Sequence, residues 1–210
     1  LYYSLQPERY YPQPLLDAAK AMRLIRQHAE EWSVDPEKVA MCGFSAGGHL
    51  TAALSTLWDS PILAEEGLGG RQARPDAAIL GYAVVMTKDD ESDPKSFGNR
   101  LLGSRIQDPE LRKAICLPQH VTSENPPTFL WHTAADQTVP VRNSLRMAEA
   151  LADQGVPFEL HVFPRGKHGL ALANHRTDNG DPEMILPEVA QWVPLCTQWL
   201  GRLWRSEERR

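Results

Sequence analysis

Ser45 lies in the stretch GFSAGGHL, residues 43–50, with Gly43 two positions before it and Gly47 two positions after it. The apolar run KVAMCG before the serine is typical of a buried parallel strand, and the residues after it have helical spacing. A serine between a strand and a helix stands on a tight turn at the carboxyl edge of a sheet, where its hydroxyl can act as a nucleophile. We expect Gly43 and Gly47 to be needed because strand and helix approach too closely there for a Cβ atom. The alternative is a serine that only caps the helix.

A serine hydroxyl becomes an effective nucleophile only when a base accepts its proton and a carboxylate holds that base in one tautomer. Asp136 comes three residues after the apolar run PTFLWHT, residues 127–133. His168 follows the apolar run PFELHVFP, residues 157–164, in a segment flanked by glycines. Both residues therefore follow the ends of later predicted strands. Ser45, Asp136 and His168 are the residues that we predict to be catalytic.

The other histidines are weaker candidates for the base because of their predicted positions. His132 and His161 lie inside predicted strands and are expected to be core or surface residues. His49 lies in the helix after the serine and is expected to pack there, whereas His120 lies where it could only touch substrate. His175 is the main rival, but its polar surroundings, ANHRTDN, lack the strand-to-glycine context.

Composition and charge argue against several classes of function. The chain has 210 residues and a formal charge of −5, which gives no electrostatic basis for binding nucleic acid. The longest apolar stretches are about ten residues, too short for a transmembrane helix, so no membrane association is expected. Three separated cysteines without a CxxC pair indicate neither a disulfide framework nor a zinc site and favour a reducing, cytoplasmic environment. The acidic run KDDESD, residues 88–93, is expected to be a solvated loop rather than a cation site.

Apolar periodicity predicts an α/β fold in which strands alternate with helices. We expect one domain over residues 1–210, with a mostly parallel sheet and helices on both faces. Residues 86–125 lose periodicity and are expected to form a small cap-like insertion, apart from short helical pieces near 96–102 and 108–115. The predicted strands span 38–43, 76–85, 127–133 and 157–164, and the predicted helices span about 15–32, 46–58, 141–155 and 187–204.

Three motifs taken together, GFSAGGHL, HTAADQTVPV and GKHGL, and the long segments around them resemble a known group of enzymes. They are similar to the α/β-hydrolase serine esterases of the acetyl-xylan-esterase or feruloyl-esterase-like branch, relatives of hormone-sensitive lipase and prolyl-oligopeptidase catalytic domains. The resemblance covers nearly the whole chain, and the order serine, aspartate, histidine is the order of that fold.

The resemblance implies a serine carboxylesterase. Ser45 would attack an ester carbonyl, His168 would relay the proton and Asp136 would orient the imidazole. The backbone N–H of Ala46 would contribute to the oxyanion hole. The implied substrate is a small-molecule ester, with acetyl groups on sugars as the first expectation, and no metal or organic cofactor is implied.

The sequence departs from the family's pattern near its beginning. The family has an upstream HGGG-like loop that supplies further oxyanion donors, and no HGG occurs among the 210 residues. The stretch LYYSLQPERYY resembles the segment after the family's fourth strand, so we expect an N-terminally truncated fold. One side of the 38–43 strand would be uncovered, and such an edge would favour a homodimer. Two alternatives stay open: a peptidase of the related oligopeptidase type, and an impaired hydrolase that only binds a ligand or partner.

Overall fold

The structure of the chain is a computed structural model, which describes residues 1–5, 7, 9–86 and 97–207. These residues form an α/β fold, as predicted. The strands are β1 Ala40–Phe44, β2 Ala77–Gly81, β3 Thr128–Thr133 and β4 Phe158–Phe163. The α-helices are α1 Gln13–Gln27, α2 Ala46–Leu57, α3 Pro61–Glu65, α4 Phe97–Leu102, α5 Pro109–Ala114, α6 Arg142–Asp153, α7 Pro187–Ala190 and α8 Trp192–Glu207. Short 3-10 helices span Gly103–Gln107, Leu117–His120 and Pro182–Met184.

The strands form one parallel sheet in the order β1, β2, β3, β4, which confirms the predicted parallel arrangement. Every residue of the two central strands, β2 and β3, is buried. Strands β1 and β4 lie at the two edges and are only partly covered. Because parallel strands all point the same way, their carboxyl ends meet at one edge of the sheet. The segments that leave this edge follow Phe44, Gly81, Thr133 and Phe163.

Alternate residues of the strands face two separate hydrophobic cores. Leu80 in β2 and its partner Leu130 in β3 belong to the core that includes residues of α1, α2 and α6. Their neighbours Ile79 and Phe129 belong to the core on the opposite side, against α8. A period of two thus gives each of the two central strands two buried faces, each covered by helices. The prediction of helices on both faces is confirmed.

Helix α1 is shorter than predicted. Apolar periodicity continues to Trp32, but the helix ends at Gln27, and Trp32 is 46% exposed. Ser33 adopts a φ of 54°, and the N–H of Val34 donates to the carbonyl of Ala29 at 2.9 Å. A left-handed residue followed by this backward hydrogen bond closes a helical segment. Residues 28–33 therefore form turns rather than another helical turn of α1.

The second predicted strand, 76–85, is also longer than the observed one. Strand β2 ends at Gly81, because Tyr82 has a φ of 35° and turns the chain away from the sheet. The following apolar residues stay buried, with the N–H of Val85 donating to Oδ1 of Asn143 at 3.0 Å. A side chain thus replaces the strand ladder as the partner of this backbone group.

The predicted closing helix, 187–204, is divided into α7 and α8. Pro194 is the third residue of α8 and has no N–H to donate to the carbonyl of Ala190, so a continuous helix loses that bond. The break falls at Gln191, and α8 then extends to Glu207. None of the described helices, α8 included, has the length and apolar character that crossing a lipid bilayer requires.

The region predicted to be a cap-like insertion, 86–125, lies partly outside the described residues, and the acidic run 88–93 falls in the part that is not described. Helices α4 and α5 lie close to the two helical pieces predicted there. Leu102, Ile115 and Leu117 from this region are buried in the same core as α1 and α2. The described part is thus packed into the fold, and its role as a cap stays a prediction.

Candidate active site

Ser45 occupies the sharp turn between β1 and α2. Its φ of 53° and ψ of −117° lie in a region that residues other than glycine rarely adopt. The N–H of Ser45 donates to the carbonyl of Gly81 at 3.0 Å, and the carbonyl of Ser45 accepts from the N–H of Val84 at 3.3 Å. Both partners lie at or after the end of β2. The neighbouring strand end therefore holds the serine in a strained conformation.

The glycines around the serine differ in what they contribute. A Cβ at Gly43 would lie 2.0 Å from the carbonyl oxygen of Gly47, so no side chain fits at position 43. A Cβ at Gly47 would meet no atom within 4 Å, and the prediction that close packing requires this glycine is wrong. The close approach falls one residue later, where a Cβ at Gly48 would lie 2.5 Å from Cβ of Ala83. Helix α2 therefore packs against the segment after β2 through Gly48.

Ser45, His168 and Asp136 are joined by hydrogen bonds. Nε2 of His168 lies 2.8 Å from Oγ of Ser45, and Nδ1 lies 2.7 Å from Oδ2 of Asp136. The carboxylate can only accept, so Nδ1 carries a proton and Nε2 of the neutral ring accepts from the serine hydroxyl. An imidazole held in this way is oriented to remove the hydroxyl proton. The three residues follow β1, β3 and β4 and lie where sequence analysis expected them, and their catalytic roles stay predictions.

The carboxylate of Asp136 is buried and accepts several hydrogen bonds. Its Oδ1 accepts from the backbone N–H groups of Thr138 at 2.8 Å and Val139 at 2.9 Å. Burial by itself raises the pKa of this carboxyl group. The nearby ring of His132 and the hydrogen bonds from His168 and the Val139 backbone outweigh burial and hold the pKa well below its usual range. Asp136 is therefore ionised at neutral pH and can stabilise a positively charged imidazole.

His132 is a buried core residue, as predicted, but it also approaches Asp136. Its Nε2 lies 2.8 Å from the carbonyl of Val139 and 3.6 Å from Oδ2 of Asp136. Its Nδ1 lies 2.8 Å from Oγ of Ser144, which fixes the ring from the other side. The sequence pattern did not indicate the contact between His132 and Asp136. The signal that could have indicated this contact was the spacing of four residues between His132, near the end of its strand, and Asp136, after it.

Four other histidines contact groups other than Ser45 or lie at the surface. His49 is buried in α2, and its Nε2 donates to the carbonyl of Ile115 at 3.0 Å. Burial lowers the pKa of His49 to about 4, against the opposing effect of that hydrogen bond. His161 pairs with a glutamate of its own strand, and His120 bonds a backbone carbonyl. His175 is exposed.

Tyr82 is a residue near the site that sequence analysis missed. Its ring meets the His168 ring nearly edge-on, with centroids 4.9 Å apart and an interplanar angle of 74°. Burial raises the pKa of Tyr82 to about 12, so the phenol stays neutral. The contact exists because the chain leaves β2 at this residue, and the apolar run 76–85 contains no signal of that turn.

A cavity of about 640 Å³ opens beside Ser45. Ala46 lines it, and as the first residue of α2 it has a backbone N–H without an acceptor inside the helix. The predicted oxyanion role of this N–H stays a prediction. The volume is that of a small-molecule site. Aromatic and apolar side chains form much of the wall, among them Tyr3, Tyr10, Tyr11, Leu50, Val84, Phe97, Leu101 and Val139.

Metal-ligating side chains are not clustered in the part of the chain that the structure describes. Within those residues, no group of three or more His, Cys, Asp or Glu side chains is placed to hold a metal ion. None of the three cysteines, all of which the structure describes, forms a disulfide bond: Cys42 is exposed, Cys116 is partly buried and Cys196 is buried.

Comparisons with known proteins show the family of the chain. The BD-FAE family model matches residues 1–151, a segment that contains Ser45 and Asp136. Endo-1,4-beta-xylanase B of Butyrivibrio fibrisolvens is 37% identical over 171 residues, which are 81% of this chain and 26% of that protein. The acetylxylan esterase of Xylanibacter ruminicola is 31% identical over 182 residues, which are 86% of this chain and 35% of that protein.

A similar solved structure is that of an acetyl ester-xyloside bifunctional hydrolase from Caldicellulosiruptor lactoaceticus. It is 39% identical with a TM-score of 0.81, and the match covers 97% of this chain and 70% of that chain. The chain thus spans 26% and 35% of the two curated relatives and a larger share of the solved structure. The family match covers more than half of the chain, and the structural match extends the similarity to nearly all of it. The chain belongs to the BD-FAE family of α/β hydrolases.

Proposed function

We propose that this chain carries the catalytic site of a serine carboxylesterase that hydrolyses short-chain acyl esters, with acetyl groups on carbohydrates as the substrates. The observation that carries the proposal is the pair of hydrogen bonds from Ser45 through His168 to Asp136, at the edge of a cavity of about 640 Å³. A buried, ionised carboxylate supports the imidazole that must become charged during the reaction.

The reaction would proceed through an acyl-enzyme in two half-reactions. Oγ of Ser45 attacks the ester carbonyl carbon while Nε2 of His168 takes the hydroxyl proton. His168 then gives that proton to the leaving alcohol as the C–O bond breaks. A water molecule, deprotonated by the same imidazole, attacks the acyl-serine ester. The acyl C–O bond breaks, His168 returns the proton to Oγ of Ser45, and the acid and the free serine are released. The backbone N–H of Ala46 donates to the oxyanion that forms in both steps.

The choice of an acetyl ester rests on the relatives and on the cavity. Two of the similar proteins are named for acetylxylan or acetyl ester hydrolysis, and the third is named a xylanase. The cavity wall near Ser45 is largely apolar, with Leu50 and Val84 among its residues, which suits a short acyl chain. Tyrosine rings from the segment before α1 offer flat surfaces for a larger alcohol such as a sugar.

The test is release of acetate from acetylated xylo-oligosaccharides and of 4-nitrophenol from 4-nitrophenyl acetate by the purified chain. We expect both reactions, and we expect Ser45→Ala to abolish both while circular dichroism stays unchanged. Hydrolysis of an aminoacyl 4-nitroanilide in place of the acetyl esters would identify a peptidase instead. A folded chain that turns over none of these compounds would contradict the proposal.

A further inference from the structure

Two arginines, Arg9 and Arg100, are among the residues that line the cavity beside Ser45. Arg9 lies in the segment before α1, and Arg100 lies in α4, so they reach the same cavity from separate parts of the chain. The cavity wall formed by the described residues includes no aspartate or glutamate. His49 also lines this wall, and its low pKa keeps it neutral near pH 7. The two arginines thus supply the formal charge of the described wall.

Neither arginine has a carboxylate partner among the described residues. This contrasts with the overall charge, because the chain has 27 acidic and 22 basic residues, a surplus of carboxylates. Arginines elsewhere do find such partners. Examples are Arg26 with Asp76, Arg71 with Glu37, Arg165 with Glu188 and Arg202 with Glu159.

A guanidinium group presents a planar set of N–H donors that matches a carboxylate, and such charge-assisted hydrogen bonds are stronger than neutral ones. Both arginines are exposed, so the attraction is of the moderate, salt-sensitive kind that surface charges show. Aromatic rings in the same wall, including Phe97 and Tyr10, provide flat contacts for a ring-bearing compound. The wall therefore combines an apolar part, for the acyl group or sugar ring, with a cationic part.

We propose that the ester hydrolysed at Ser45 carries a carboxylate, which Arg9 and Arg100 bind in this cavity. This inference rests on the proposed esterase function. The carboxylate can belong to the alcohol, as in an acetylated uronic acid, or to the acyl group, as in a dicarboxylic acid monoester. The shared chemistry is a negative charge within reach of the two guanidinium groups.

The experiment compares charged and neutral substrates in two arms. The alcohol arm uses methyl O-acetyl-glucuronide against methyl O-acetyl-glucoside, with released acetate as the readout. The acyl arm uses mono-4-nitrophenyl succinate against 4-nitrophenyl pentanoate. In one arm we expect kcat/KM for the charged substrate to be about tenfold higher than for its neutral counterpart. This ratio of the two kcat/KM values should fall with added salt. Equal kcat/KM values for charged and neutral substrates in both arms would overturn the proposal.

Variants separate binding of the charge from catalysis. Arg9→Gln and Arg100→Gln should each raise KM for the preferred charged substrate about five- to tenfold and should change KM for the matching neutral substrate much less. Arg71→Gln removes the same charge at an exposed site outside the cavity and should behave as wild type. Equal effects of the cavity variants on charged and neutral substrates would also overturn the proposal.

Binding without turnover keeps the inference distinct from the proposed function. The Ser45→Ala variant should bind methyl O-acetyl-glucuronide or monomethyl succinate in calorimetry, and its combination with Arg100→Gln should bind about fivefold more weakly. Loss of all ester hydrolysis with this binding intact would refute the esterase and leave the carboxylate site standing. Hydrolysis of neutral esters without any carboxylate binding would refute the site and leave the esterase standing.

Discussion

The hydroxyl oxygen of Tyr82 accepts a hydrogen bond of 3.1 Å from the backbone N–H of Ala171, three residues after His168. On the other side of the same residue, the indole N–H of Trp192 donates to the carbonyl of Ala171 at 2.8 Å. Ala171 has a φ of 49°, a conformation that needs such support. The loop that carries the imidazole is therefore held from two directions, by the end of β2 and by the start of α8.

Replacing Tyr82 with phenylalanine removes the acceptor for the Ala171 N–H and keeps the ring against His168. We expect Tyr82→Phe to lower kcat about five- to tenfold with little change in KM, because the imidazole is held less firmly while the cavity is unchanged. The free energy of unfolding should fall by about 1 kcal/mol. Steady-state kinetics and urea denaturation measure the two effects. The control is Tyr2→Phe, at a fully exposed tyrosine. A Tyr82→Phe variant that keeps the wild-type kcat would contradict the positioning role.

The paired glycines of α2 give a stability test. Gly48→Ala forces its Cβ to within 2.5 Å of Cβ of Ala83, so we expect a loss of about 2 kcal/mol or more in the free energy of unfolding. Gly47→Ala meets nothing within 4 Å and should stabilise the helix by up to about 1 kcal/mol through helix propensity. Urea denaturation of the two variants checks the assignment. A reversed order of stability would show that α2 packs differently.

The three candidate catalytic residues could be located from the sequence because of a simple property of parallel sheets. Ser45, Asp136 and His168 each follow an apolar run, and the carboxyl ends of parallel strands meet at one edge. An approximate set of strands was enough to bring them together. The exact ends of the strands were not needed for this inference.

Contacts that depend on exact backbone geometry could not be predicted. The apolar run 76–85 contains no sign that Tyr82 leaves the sheet, and that turn is what brings its ring against His168. The choice between Gly47 and Gly48 depends on how α2 is rotated against the segment after β2. The division of the last helix could have been predicted, because Pro194 is visible in the sequence. The apolar periodicity favoured one continuous helix over the break that this proline indicates.

His49 should make the stability of the chain sensitive to mild acid. Its pKa is about 4 in the folded chain, against an ordinary value of 6.5. Between these values the unfolded chain holds a proton that the folded chain does not, so stability falls as the pH is lowered through this range. The slope from this group reaches about 1.4 kcal/mol per pH unit.

His49→Gln keeps an N–H donor for the Ile115 carbonyl and removes the titration. We expect the free energy of unfolding of this variant to fall less than that of the wild type between pH 6.5 and pH 4. Urea denaturation at several pH values measures the difference, and the other titrating groups are common to both proteins. Parallel pH profiles would contradict the assignment.

Asp136 should stabilise the fold through its ionised form. Its pKa lies below the ordinary value of 3.8, so its contribution is present above about pH 4 and is lost as the pH falls through the lower folded value. We expect Asp136→Asn to be about 2 kcal/mol less stable than wild type at pH 7. The difference should shrink as the pH is lowered from 5 to 2, as followed by urea denaturation. A difference that stays constant or grows would contradict the depressed pKa.

The central claim is that His168 activates the hydroxyl of Ser45, and covalent labelling with a fluorophosphonate tests it most directly. The folded wild-type chain should gain one phosphonate, mapped to Ser45 by peptide mass spectrometry, and Ser104→Ala, at an exposed serine, should label equally. Ser45→Ala should stay unlabelled, and His168→Ala should label at least about a thousandfold more slowly. A wild-type chain that is folded by circular dichroism and stays unlabelled, or a His168→Ala variant that labels at the wild-type rate, would contradict the account.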